Sequence, residues 1–170
     1  DTAISVISAT SRSALAAGRD VAEITLIAVS KVQPNDRVAA VLDAGHRVFG
    51  ENKVQELCSK YEMLPKDIDW HLIGHLQTNK VKYIAPFIGL IHGVDSIKLL
   101  KIINKEARKN NRKIRCLLQF HIAVEETKFG LNLEEAIELL QSDEFKRLKN
   151  INISGVMGMA TYTDNIQQIR

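Results

Sequence analysis

The sequence is short of the residues that staple or punctuate small proteins: its 170 residues include 2 cysteines, 3 prolines and 9 glycines. Cys58 and Cys116 lie far apart with no CxxC spacing, which excludes a disulfide framework and a zinc knuckle and leaves two reduced, packed thiols. No apolar run reaches the length of a membrane span. The start, at Asp1, lacks the basic, apolar and cleavage regions of a secretory leader, so a cytoplasmic protein is expected. Neither GxGxxG nor a P-loop is present, and no GxSxG elbow marks a hydrolase. No Pro/Gly/Ser-rich linker, low-complexity tract or short repeat interrupts the chain, so residues 1–170 read as one domain. The formal charge of +3 is too small to imply a nucleic-acid partner by itself.

What is present is an alternation. Short Val/Ile/Leu-rich runs take turns with segments of helical period, the signature of repeated βα units around a parallel sheet, and about six units can be read. ITLIAVSK, HRVFGEN, DWHLIGH, GLIHGVD, IRCLLQFHI and ISGVMGM are the expected strands. Pro34 and Asn35 open a helix that Gly45 ends, VQELCSKYEML is a second, Ser96 caps a third, and Asn132 with Glu135 forms a capping box for a fourth. The expected fold class is α/β, a (β/α)8 barrel of TIM type. A complete one has eight strands and typically runs to ~250 residues, so the last two strands are expected to be missing from this chain.

In such folds the site is built at the carboxyl ends of the strands. Polar groups recur there: Lys31 after the first strand, Glu51 and Asn52 after the second, His75 after the third with His71 inside it, Asp95 after the fourth and His121 after the fifth, followed by Met157 to Met159. Lys31 carries the most chemistry. A lysine whose stem packs on Ile and Val has its ammonium partly desolvated, which favours the neutral amine that attacks an aldehyde. The alternative is a lysine that only packs its stem and leaves its head in water. Asn52 and Glu51 also fit a helix cap and a first-turn carboxylate, and Met157 also fits barrel packing. His71 and His75 have a metal-ligand spacing only on a helix, and this stretch reads as strand, so no metal site is expected. The basic run from Lys98 to Arg115 offers phosphate neutralisation, but no aromatic residue interleaves it and a barrel's outer helices are charged by default.

AVSKVQP, FGENKVQEL, WHLIGHLQTNK, ETKFGL and GVMGMATY, in this order from residue 24 to the end, resemble the successive motifs of the pyridoxal phosphate homeostasis proteins, the YggS/PROSC family. The resemblance implies a barrel like the N-terminal domain of alanine racemase, with pyridoxal 5′-phosphate (PLP) held as an aldimine on Lys31. It implies that Asn52 lies near the cofactor ring and that His71 and Met157 belong to the pocket. It also implies a role in vitamin B6 and amino-acid homeostasis without established turnover, with apo PLP-dependent enzymes as recipients and neither membrane nor nucleic acid as partner. Many relatives carry asparagine where this chain has His121, and the family's phosphate donors and the arginine facing the pyridine nitrogen lie beyond the sixth strand. Two alternatives stay open. One is a PLP-dependent racemase, for which Tyr162 is the tyrosine expected on the mouth side; the other is a nucleic-acid binder using the basic helix 98–115.

Overall fold

The computed structural model describes residues 11–122 and 130–161. Six strands form one parallel sheet in chain order: β1 (Ala28–Val29), β2 (Val48–Glu51), β3 (Asp69–Leu72), β4 (Leu90–Val94), β5 (Ile114–Phe120) and β6 (Ile151–Gly158). Between them run α1 (Asn35–Asp43), α2 (Val54–Met63), α3 (Val81–Ile84), α4 (Ile97–Lys109), α5 (Leu133–Gln141) and α6 (Asp143–Lys146). Strictly sequential parallel order with helical crossovers is the winding of the TIM-type barrel.

The strand register explains where the core lies. Side chains paired across parallel strands share a face. Phe49 pairs with Trp70, Leu72 with Ile91 and Ile91 with Cys116, and all five are at most 1% exposed. This face meets the helices, whose Leu57, Leu99, Leu100, Ile103 and Ala107 complete one apolar cluster. The opposite face aligns Val29, Gly50, His71, Leu90 and Arg115, a far more polar set. Burial raises the Cys58 thiol and pushes that of Cys116 up to about 12, so both are packing groups rather than nucleophiles.

The expected elements are present with shorter strands. β1 was expected over residues 24–31 and has ladder pairing only at Ala28 and Val29, because among the described residues it has one neighbour, β2. Gly45, at φ 91, ends α1 by donating its N–H to Leu42 O. α3 and α6 were not anticipated: four residues give no period to read, and α3 is fixed instead by burying Val81 and Ile84 completely. Half of the basic run is engaged. Lys101 pairs with Glu144 and Lys109 with Glu106, Arg112 donates to the carbonyls of Ala85 and Ile88, and Arg115 reaches Asp69 and Gly89 O.

The capping box of α5 is complete: Asn132 Oδ1 accepts from Glu135 N at 2.8 Å, and Glu135 Oε2 accepts from Asn132 N at 2.9 Å. Asn132→Ala should therefore lower the free energy of unfolding by about 1 kcal/mol, read as a reduced urea midpoint at unchanged slope.

Candidate functional site

The first strand ends in a tight turn. Ser30 N donates to Gly50 O at 3.0 Å, and Gln33 N donates back to Ser30 O at 3.0 Å, so Lys31 and Val32 are the two central residues. Val32 has φ 62, the left-handed value that the third position of a type II turn requires and that glycine or asparagine normally supplies. A β-branched side chain is strained there, and Val32 is 85% exposed, so no packing offsets the strain. A hydrogen bond does: Val32 N donates to Glu56 Oε1 at 2.6 Å.

Glu56 belongs to a buried ionic cluster. Lys60 Nζ lies 2.8 Å from Glu56 Oε1, 2.6 Å from Glu51 Oε1 and 2.5 Å from Ser30 O, and Ser30 Oγ donates to Glu51 Oε1 at 2.6 Å. The side chains of Lys60 and Glu51 are 5% and 0% exposed. Lys60 holds the Glu56 carboxyl below its usual range against the opposing effect of burial, and the Val32 N–H adds to this.

The residues singled out from the sequence fall into two groups. Lys31 and Asn52 follow the carboxyl ends of neighbouring strands β1 and β2. Lys31 is exposed rather than partly desolvated as expected, since among the described residues its strand has a neighbour on one side only. Asn52 is half-buried and lines a cleft of ≈ 230 Å³ with Lys53, His75, Gln77 and Lys80. A Cβ on Gly74 would stand 2.5 Å from Asn52 O, so only glycine lets the ends of β2 and β3 approach this closely. Met157 is half-buried on β6, paired in register with Gln119 of β5 at the far side of the sheet. His71 is 3% exposed and its polar contacts lead away from the rim: Nδ1 is 3.1 Å from His92 Nε2, and Nε2 is 3.4 Å from Asp69 Oδ2 without forming a full hydrogen bond. His75 is at the mouth, 3.7 Å from Asp95.

Glu51 corrects an expectation. It is not a mouth or helix-cap carboxylate; it is the last residue of β2 and points into the layer between sheet and α2. Lys60, Glu56 and Ser30 were missed. The available signal was helical spacing: Lys60 falls with Leu57, Tyr61 and Leu64 on the apolar stripe of α2, where a lysine has to find an anion. His92 was also missed, because a strand histidine inside an apolar run has no distinctive pattern. Tyr162 lies outside the described residues. Among the described residues, no three His, Cys, Asp or Glu side chains gather to hold a metal ion.

The family model of the alanine racemase N-terminal domain matches residues 15–169. The chain is 38% identical over 155 residues to the pyridoxal phosphate homeostasis protein of Aquifex aeolicus, covering 91% of this chain and 67% of that protein. It is 34% identical over 153 residues to the protein of the same name from Escherichia coli, covering 88% and 64%. The chain thus spans about two thirds of the length of these curated relatives. The structure of PipY from Synechococcus elongatus with PLP bound matches with a TM-score of 0.76 at 31% identity, covering 94% of this chain and 74% of that one. An alanine racemase from Clostridium difficile matches with a TM-score of 0.62 at 16% identity, covering 79% and 35%, and shows the fold alone.

The histidine pair makes stability depend on pH. Desolvation, followed by the neighbouring His71, brings His92 down to about 4, and desolvation lowers His71 as well. Both rings are neutral at pH 7, where stability is full. As pH falls below the ordinary histidine value of about 6.5, the unfolded chain takes up protons that the folded chain refuses, and stability declines until about pH 4. Urea unfolding at about pH 5 should give a free energy about 1–2 kcal/mol below that at about pH 7. His92→Gln should flatten this interval.

Proposed function

From the premise that this chain belongs to the family of the alanine racemase N-terminal domain, with the pyridoxal phosphate homeostasis proteins as its relatives, we propose that it holds PLP on Lys31. One observation carries the reading. The lysine sits on a clamped, strained turn at the carboxyl end of β1, and such strain persists where surrounding structure enforces it for a purpose. The residues present fit the cofactor's aldehyde end: Lys31 offers an accessible amine, and Asn52 stands half-buried after the neighbouring strand. Further along the sheet the strand ends approach closely on glycines, since a Cβ on Gly93 would meet Gly74 O at 3.0 Å and Gln119 Oε1 at 3.2 Å. Lys31 would hold the cofactor through its amine, and PLP, when bound, would supply an aldehyde that such an amine can capture.

The chain's own groups take the remaining roles. Lys31 Nζ is the nitrogen that holds the cofactor, Asn52 orients the ring by hydrogen bonding from the end of the neighbouring strand, and Met157 closes the pocket from β6. His71, neutral and buried, shapes the floor through His92 and is no proton donor near pH 7. Residues 1–170 act as one cytoplasmic PLP-binding unit that buffers the reactive aldehyde and passes it to apo enzymes that depend on it. The name of the relatives and the PLP in PipY support this reading.

Incubation with PLP, borohydride reduction and peptide mapping should place the adduct on Lys31. Lys31→Ala should abolish it at that peptide, and full labelling elsewhere in the variant would overturn the assignment.

Holding the cofactor is distinct from racemisation, which requires a second positioned acid/base on the opposite face of the substrate Cα. Lys31 follows the carboxyl end of β1, and no group among the described residues is assigned that second role. With L-alanine in heavy water, the loaded protein should show slow α-proton exchange at most, and chiral chromatography should find no efficient conversion to the D form. Substantial turnover that Tyr162→Phe abolishes would make it a racemase.

A further inference from the structure

We propose that Glu56 and Lys60 of α2 are positioning residues for Lys31, fixing the direction in which its amine leaves the turn; the proposal rests on the reading that Lys31 bears the cofactor. The two side chains take hold of the backbone on either side of it. Lys60 Nζ donates to the carbonyl of Ser30, and Glu56 Oε1 accepts the N–H of Val32. Both belong to one turn of α2, four residues apart, and they are bonded to each other. Lys31 is itself exposed, so its stem direction is set by its Cα–Cβ vector and hence by the turn.

The turn does not hold itself. Valine at φ 62 would relax to negative φ if the N–H were released, rotating the peptide plane that joins it to Lys31. Lys60 extends the control to the second strand, because it also binds Glu51, the residue before Asn52. A single ammonium therefore sets the relation between the strand end that precedes the amine and the one that precedes the amide. A device for stability alone would not need this arrangement, since well-packed apolar residues serve a buried layer as well as an ion pair does. Here the clamp is spent on Val32, which contributes no packing.

PLP binding by the full chain tests the proposal. Glu56→Ala should weaken the equilibrium affinity for PLP by roughly tenfold, the value of one charge-assisted hydrogen bond, with labelling still on Lys31. Glu56→Gln, which keeps an acceptor oxygen, should retain most of the affinity. Adding Val32→Gly to Glu56→Ala should restore it, because glycine holds positive φ unaided. Without cofactor, amide hydrogen exchange over residues 29–34 should quicken in Glu56→Ala by more than the general rise across the sheet that losing one of the three Lys60 partners brings. Unchanged affinity in Glu56→Ala, or a loss that Val32→Gly does not repair, overturns the positioning role. Absence of a Lys31 adduct in the unsubstituted protein defeats the cofactor reading instead, and the exchange measurement then decides the clamp by itself.

Discussion

Lys60 and Glu51 have been taken out of water together, and the geometry around them follows from that. Removing an ammonium and a carboxylate from solvent costs several kcal/mol per ion, and attraction offsets this only where the remaining hydrogen-bonding capacity is also met. The cluster meets most of it with Ser30 O, Ser30 Oγ and Glu56 Oε1, each within 2.8 Å of its partner, while the second carboxylate oxygen, Glu51 Oε2, is buried without a hydrogen-bond partner among the described residues. The groups of the cluster come from the end of β1, the end of β2 and the first two turns of α2. None of the three elements can shift without exposing a buried charge to a worse environment. β1, with ladder pairing at two residues only, owes much of its placement to this contact.

The same sheet carries its polar groups on the other face. Barrel interiors of this type are usually filled by branched apolar side chains. Here His71, His92, Asp69 and Arg115 form a chain: Arg115 pairs with Asp69, Asp69 faces His71, and His71 bonds to His92. Asp69 favours the tautomer of His71 that carries its proton on Nε2. Nδ1 is then the acceptor, and His92 donates from its own Nε2. Neutral rings satisfy this ordering and a doubly charged pair does not, in keeping with the downward direction of both titrations.

The outer architecture was legible in the sequence because its signals are local. The capping box at Asn132, the Ser96 cap and the Gly45 stop are each written within a few residues, and period 3.6 is visible in α1, α2 and α4. Lys31 was legible too, since a lysine after an apolar strand stands out. Its exposure was not, because it depends on what lies beside β1 rather than on what precedes it in the chain. The clamp was hidden for a related reason. Glu56 and Lys60 at an i, i+4 spacing normally indicate a solvated pair on a helix surface, and only the crossing of α2 over the ends of β1 and β2 turns them inward. Val32 gave no warning at all: turn chemistry predicts glycine or asparagine at that position, and the exception is visible only as a dihedral.

Likeness to alanine racemase and likeness to the homeostasis proteins therefore carry different weight. At 16% identity the racemase shares a winding, and a winding brings a strand end to the mouth without specifying what faces it. The homeostasis proteins, at 34% and 38% identity over 153 and 155 residues, share a third or more of the aligned sequence as well. What this structure shows on the lysine's own side is a turn strained at Val32, held by Glu56 and tied through Lys60 to the strand that precedes Asn52. On the proposed reading, such a device would fix one amine and do nothing for the opposite face of a substrate. A site organised in this way suits capture and release of an aldehyde, a reaction that needs one well-aimed nitrogen and free access to solvent, better than a reaction that must deliver protons from two sides.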